Sequence, residues 1–172
     1  MKHSIVFIVL ASLFCACDSP PKSPTLDGVV TDRFGVLPTS TKDRMTATLR
    51  AYEKETCHQV AILIIKSTNG EPIEQFSLSV ANRAGIGQRG LNNGVLVTVA
   101  IDDRRMRIEV GHGMTKYITD EDASRIVQTD MAGDFKTGNY VSGIERGVQA
   151  IMVAARQFVV PNDQRPSVCK RA

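Results

Sequence analysis

The sequence has 172 residues, of which 42% are hydrophobic and 5% aromatic, and it contains no tryptophan. That length allows about one ordinary domain after an export segment, with a core filled chiefly by aliphatic side chains. The formal charge of +3 is modest and lacks the concentrated basic stripe of nucleic-acid-binding domains, so we expect no nucleic-acid partner.

Residues 1–16 are predicted to be a signal peptide of the lipoprotein type. Lys2 supplies a positive charge, and residues 5–14 form an apolar run. This run is too short for a permanent membrane helix, which needs about 20 apolar residues. The Ala16-Cys17 junction is typical of a lipoprotein box, although the two residues before Ala16 depart from the usual pattern. We therefore predict that Cys17 carries lipid and attaches the chain to a membrane.

A tether is predicted next, over residues 17–28, because three prolines in this stretch favour an extended spacer. The protein is therefore expected on the periplasmic side of a bacterial membrane, as a lipoprotein. Asp18 directly after the lipidated cysteine favours the inner membrane, if the host sorts lipoproteins as enterobacteria do.

The domain itself is expected over residues 29–160, with a polar tail at 161–172. Residues 60–65 and 95–101 are almost wholly apolar, which is typical of strands buried on both faces of a parallel sheet. Residues 105–110 alternate strictly, which predicts an antiparallel strand with one wet face. A short strand at residues 29–32 precedes them, and apolar residues at helical spacing fill the intervening segments.

The predicted order of elements is β-α-β-α-β-β-α-α. This order indicates an α/β fold with a mainly parallel sheet covered on both faces. Thr39 or Ser40 is expected to cap the first helix, Gly85 to end the second and Thr119 to cap the third. In the last helix, Gly143 and Gly147 lie one turn apart, and we expect them to allow close packing on the sheet.

Three carboxylates are predicted to meet at the carboxyl edge of this sheet. Asp32 closes the first strand, and Asp102 and Asp103 follow the third. Ligands of open α/β sheets bind at this edge, and Ca²⁺ or Mg²⁺ prefers carboxylate and carbonyl oxygens. One interpretation is that the three carboxylates bind a cation. Without the cation these carboxylates would repel one another, so the change Asp103→Asn is expected to be neutral or mildly stabilising. Ordinary turn residues are the alternative.

Other motifs are weaker. Gly85–Gly90 matches the G-x-G-x-x-G string, but it follows a helix and precedes a strand, so no nucleotide cofactor is expected. His58 and His112 have no partners at catalytic or ligand spacing. The sequence contains no H-E-x-x-H, G-x-S-x-G or P-loop string, and whether the chain is an enzyme stays open.

Two cysteines remain in the mature domain, Cys57 and Cys169. The oxidising envelope permits a disulfide between them, and two free thiols are the alternative. The sequence does not decide between the two states.

Four segments in order resemble the TPM domain, a family of bacterial envelope proteins and plant thylakoid-lumen proteins linked to photosystem II repair. They are residues 30–37, 85–96, 103–113, and the pair 119–120 with 138–140. The resemblance implies a three-layer α/β/α sandwich around a small mixed sheet. It also implies membrane attachment and divalent-metal binding at the acidic edge.

Two functions follow from these observations. The first is a metal-binding accessory or interaction module that serves the assembly or maintenance of envelope proteins. The second is a metal-dependent phosphatase, which the catalogue name of the family suggests. No residue clearly supplies a general acid or a phosphate clamp, so the binding module is preferred.

Overall fold

A computed structural model describes residues 24–169, and a four-stranded sheet lies at its centre. The strands are β1 (Val30–Asp32), β2 (Gln59–Ile65), β3 (Gly94–Ala100) and β4 (Arg105–Val110). They lie side by side in sequence order; the first three are parallel and β4 is antiparallel to β3. The predicted mixed, mostly parallel sheet is confirmed.

Within residues 24–169, five helices accompany the sheet: α1 (Thr39–Thr56), α2 (Ile73–Ala84), α3 (Asp120–Arg125), α4 (Ala132–Lys136) and α5 (Tyr140–Ala155). A π-helical segment, Ile126–Met131, joins α3 to α4, so the single helix expected there is interrupted. Short 3₁₀ turns occupy His112–Met114, Asn162–Gln164 and Ser167–Cys169. No helix of residues 24–169 is long and apolar enough to cross a membrane.

The helices cover both faces of the sheet, which makes the predicted three layers. On one face, the buried side chains of α1 and α5 pack with alternate residues of the strands, including Ile62, Ile64, Val97 and Ile108. On the other face, α2 packs against Leu63 and the remaining alternate residues. Burial on both faces explains why β2 and β3 are apolar throughout.

The positions of α1 and α2 have a topological consequence. The connections β1-α1-β2 and β2-α2-β3 step in the same direction across the sheet, yet their helices lie on opposite faces. The two crossovers therefore have opposite hands, and one of them is left-handed, although about 98% of such connections are right-handed. The loops that leave β1 and β2 consequently diverge to opposite faces.

The helix ends follow the predicted signals with one exception. Thr119 makes a capping box with Asp122, and Gly85 ends α2 in the left-handed conformation. The exception is α1, which begins at Thr39 after Pro38, and neither Thr39 nor Ser40 caps it. The fixed φ of proline, −53° here, sets the direction of the chain at this end without a side-chain cap.

Gly143 and Gly147 do allow close packing, but against a neighbouring helix and not against the sheet. A Cβ atom on Gly143 would lie 2.7 Å from the ring of Phe135, and one on Gly147 would lie 2.6 Å from Met131. These contacts hold α5 against the π-helical segment and α4. The prediction of packing on the sheet is wrong because the sheet face is already reached by Ile144, Val148 and Ile151.

Candidate functional site at the carboxyl edge of the sheet

The carboxyl edge of the sheet is formed by the ends of β1, β2 and β3 and by the loops that follow them. The loop after β1 leads to α1 on one face, whereas the loop after β2 leads to α2 on the other. Such a divergence of neighbouring loops opens a crevice, and ligands of open α/β sheets bind there. Asp32, Asp102 and Asp103 all lie at this edge.

Asp32 fixes the loop between β1 and α1. Its Oδ1 accepts hydrogen bonds from the backbone amides of Phe34 (3.0 Å) and Gly35 (2.7 Å), and its Oδ2 accepts one from Leu37 (2.8 Å). Three amide donors on one carboxylate hold the loop in place. Gly35 has a φ of +82°, a conformation that glycine adopts without strain.

Asp103 links the β3–β4 turn to the loop after β2. Its Oδ1 accepts a hydrogen bond from the hydroxyl of Ser67 (2.7 Å), and its Oδ2 accepts one from the amide of Thr68 (2.8 Å). The hydroxyl group of Thr68 lies 3.1 Å from the same carboxylate oxygen and 2.7 Å from the carbonyl oxygen of Glu71. Its proton is therefore shared between these two acceptors. The Thr68 amide, followed by the Ser67 hydroxyl, lowers the pKa of Asp103.

Asp102 is held more loosely. Its carboxylate lies 3.9 Å from the ammonium group of Lys66, and both side chains are exposed. An ion pair of this kind contributes little to stability because water screens it. Asp102 is therefore the one of the three carboxylates that does not fix a loop.

The three aspartates share one edge, but the structure does not bring them together into a metal centre. Strand β2 separates the end of β1 from the end of β3. Within residues 24–169, no group of three His, Cys, Asp or Glu side chains could hold a metal ion. The oxygens of Asp32 and Asp103 face hydrogen-bond donors, and a cation would have to compete with them. The arrangement does not fit a ready-made site, and Ca²⁺ or Mg²⁺ binding stays a prediction.

Of the two histidines within residues 24–169, neither side chain lies at hydrogen-bonding distance from a carboxylate or a nucleophile. His58 is fully buried; its Nε2 donates to the carbonyl of Phe158 at 2.7 Å, and its Nδ1 lies 3.3 Å from the amide nitrogen of Asn93. Burial lowers the pKa of His58, so the ring is neutral at pH 7. His112 begins the 3₁₀ turn after β4.

The glycine-rich loop before β3 is structural. The amide of Gly87 donates to the side chain of Gln59, and that of Gln88 donates to Asn93. A Cβ atom on Gly113 would lie 1.8 Å from the carbonyl oxygen of Leu91, so this loop is pressed against the turn after β4. The amides of Gly87 and Gln88 are thus engaged within the domain at the amino end of β3.

Cys57 and Cys169 are joined in a disulfide that spans 112 residues. Arg165 is also buried in this tail, and its guanidinium donates to the carbonyls of Val160, Glu55 and Cys169. The part of the predicted polar tail that is described therefore packs on the domain. Cys17 and the other residues of the predicted signal peptide lie outside the described residues.

The last residues of the predicted tether also contact the domain. Arg33 donates to the carbonyl of Thr25 and pairs with Asp27, and the amide of Asp27 donates to Thr31. Leu26 packs beside the core under α2. The segment from Thr25 onward is thus fixed to β1 and its surroundings.

Comparisons with known proteins agree with this architecture. The chain matches the family model of the TPM domain over residues 30–154. It is similar to the N-terminal domain of a P. gingivalis protein, with 34% identity, a TM-score of 0.69, and coverage of 73% of this chain and 80% of that chain. Curated proteins give no match.

Two further solved structures share the fold. One is the BA42 protein from Bizionia argentinensis, at 20% identity and a TM-score of 0.63, covering 76% of this chain and 90% of that chain. The other is the N-terminal domain of a Corynebacterium glutamicum protein, at 12% identity and a TM-score of 0.59, covering 87% and 88%. At these identities the likeness concerns the fold alone.

Proposed function

Since the chain belongs to the TPM domain family, we propose that it is a lipid-tethered binding module of the cell envelope, with the carboxyl edge of the sheet as its ligand-facing surface. One observation carries this proposal: Asp32 and Asp103 hold the loops of that edge through hydrogen bonds from neighbouring donors. Fixed loops around a crevice suit recognition, because a preformed surface loses little conformational entropy on binding.

A metal-dependent phosphatase is the second candidate, and the name of the family model carries that word. Such an enzyme needs a cation to polarise the phosphoryl group. Here Asp32 and Asp103 are engaged with loop donors, and the ammonium group of Lys66 lies near Asp102. These contacts favour binding over hydrolysis.

The proposed anchor is a lipid on Cys17, with Asp18 favouring the inner membrane. Thr25 already contacts the domain, so a spacer between the proposed lipid and this contact is at most residues 17–24. Eight residues span at most about 29 Å when fully extended. The domain would then work close to the membrane surface, where partners in the upkeep of envelope proteins are found.

Intact-mass analysis of the membrane fraction tests the anchor. We expect a mature chain that begins at Cys17 and carries acyl groups, and release of the Cys17→Ala variant from the membrane. A mature N-terminus elsewhere, or an unmodified Cys17, would overturn this part of the proposal.

Site-specific photo-crosslinking in the native cell envelope tests the ligand-facing edge. A photoreactive residue at exposed Phe34, in the loop after β1, is compared with one at exposed Arg89, at the opposite end of the sheet. The proposal expects a discrete crosslinked envelope protein from position 34 and none from position 89. Equal products from both positions, or none from either, would contradict it.

A further inference from the structure

A cavity of about 480 Å³ lies beside the carboxyl edge, between the β3–β4 turn and the junction of α4 with α5. This volume is within the range of about 300 to 1,000 Å³ that is usual for small-molecule sites. The wall contains two basic residues, Arg104 and Lys136, an aromatic pair, Phe135 and Tyr140, and small or apolar residues that include Met106.

The charge of this wall is uncompensated. It contains Arg104 and Lys136 and no acidic side chain. Neither cation makes a hydrogen bond or ion pair with another residue in the described part of the chain. The acidic residues closest in sequence are engaged elsewhere, Asp103 with Thr68 and Asp134 with Arg146. Two positive charges therefore face one cavity without a counter-charge from the protein.

Several other surface arginines of this domain are paired. Arg156 makes two hydrogen bonds to Glu55, Arg146 pairs with Asp134, and Arg44 pairs with Glu145. Arg104 and Lys136, by contrast, line one cavity together without such a partner. An anion placed between them would gain two charge-assisted hydrogen bonds.

The other residues of the cavity wall favour a ligand whose remaining part, beyond the anionic group, is apolar. The rings of Phe135 and Tyr140 are packed edge to face, with 5.2 Å between their centroids. Both rings, together with Met106, are partly buried against the main core. Tyr140 also carries a hydroxyl group, which can donate one hydrogen bond.

We propose that this cavity is a binding site for a small organic anion, with an acidic head group held by Arg104 and Lys136 and an apolar or aromatic body against Phe135, Tyr140 and Met106. The assignment depends on neither the lipid anchor nor a divalent cation, and it deepens the proposed function by naming a ligand class for the carboxyl edge. Its test is therefore separate from the crosslinking of an envelope protein.

Arg104 offers a sharp perturbation because its backbone has a φ of +53°. Residues other than glycine are strained in this left-handed region of backbone conformation, and asparagine adopts it more readily than arginine does. The Arg104→Asn variant should therefore fold as well as the wild type or better, while it loses the guanidinium. Lys136→Gln is a second variant, at the exposed end of α4.

The experiment is a titration of the full-length chain, purified in a nonionic detergent, with phenylphosphonate and with neutral benzamide, followed by calorimetry. Arg89→Asn is the matched control, because it removes one exposed arginine at the opposite end of the sheet. We expect saturable binding of phenylphosphonate, little binding of benzamide, and wild-type affinity in Arg89→Asn. Arg104→Asn and Lys136→Gln should each weaken binding at least about tenfold, the loss expected for one charge-assisted hydrogen bond.

Any one of the following results would overturn the proposal. The first is no saturable binding of phenylphosphonate up to about 10 mM, which is weaker than any specific site would give. The second is equal binding of benzamide, which would make the acidic head group irrelevant. The third is wild-type affinity in a folded Arg104→Asn variant, or an equal loss in Arg89→Asn, since either would show that the cavity residues do not select the anion.

Discussion

Asp103→Asn tests the structural role of the acidic edge. The carboxylate of Asp103 accepts a hydrogen bond from Ser67 Oγ and one from the Thr68 amide. Asparagine keeps one oxygen for the Thr68 amide, but it loses the charge that strengthens both bonds. Hydrogen bonds to charged groups contribute about 1.5 to 3 kcal/mol and neutral ones about 1 kcal/mol. We expect a loss of about 1 to 2 kcal/mol in the free energy of unfolding, since solvent reaches the site and weakens the effect.

This expectation has the opposite sign to the one drawn from the sequence. Crowding among three carboxylates predicts a neutral or slightly stabilising change, but Asp32 and Asp103 are each compensated by their own donors. Asp102→Asn is the matched control. Its carboxylate pairs with Lys66 at 3.9 Å, and both groups are exposed. That variant should remain within about 0.5 kcal/mol of the wild type.

The effect of Asp103 should depend on pH in a defined direction. Its pKa is lowered in the folded protein, so its contribution to stability is present above the unfolded-state pKa of about 3.9 and is lost as the pH falls through the lowered value. Urea unfolding followed by circular dichroism at pH 7 and at decreasing pH measures this difference. A midpoint for Asp103→Asn at or above that of the wild type at pH 7 would refute the reasoning, as would an equal loss in Asp102→Asn.

Three further predictions concern the disulfide, a glycine contact and the cation. Reduction of Cys57–Cys169 opens a loop of 112 residues. Chain-entropy models put the resulting loss in the free energy of unfolding at up to roughly 4.8 kcal/mol. A loss below about 1 kcal/mol, measured by urea unfolding with reductant, would contradict a stabilising role of this disulfide. Gly113→Ala places a Cβ atom 1.8 Å from a backbone carbonyl and should destabilise by about 2 kcal/mol or more. Gly133→Ala, which meets nothing within 4 Å in helix α4, should be neutral or stabilising, and equal effects of the two changes would count against the contact. Millimolar Ca²⁺ or Mg²⁺ should raise the melting temperature if a cation site forms at the acidic edge. At a cation concentration of 100 times the dissociation constant, the stabilisation is about 2.7 kcal/mol. An unchanged melting curve would contradict a cation site and leave the aspartates as residues that fix loops.

The sequence was most informative where one local pattern decides the structure. The continuous apolar runs predicted β2 and β3 within one residue at each end, because both faces of these strands are covered. The alternation of residues 105–110 also predicted the bounds of β4. The face expected to be wet is only partly so, because Arg105 is exposed whereas Arg107 and Glu109 are half-buried. The capping box at Thr119 also needs only residues within one turn, and it was predicted correctly.

Local sequence patterns did not predict the contacts between residues that are far apart in the sequence. The partners of Asp103 lie about 35 residues earlier in the chain, and no spacing in the sequence connects them. The same holds for Gly143 and Gly147. Their spacing of one helical turn indicates close packing, but it does not show whether the packing partner is a helix or a sheet. The cavity between Arg104 and Lys136 arises from two turns that meet only in the folded domain.

Turnover of a phosphate ester is the measurement that tests the central claim most directly, namely that this TPM domain binds at its carboxyl edge and does not hydrolyse. The full-length chain and Asp103→Asn are incubated with p-nitrophenyl phosphate and with Ca²⁺, Mg²⁺ or neither. The account predicts release at the rate of buffer alone in every sample. Release by the wild type that requires a cation and is lost in a folded Asp103→Asn variant would contradict it, because the acidic edge would then be catalytic.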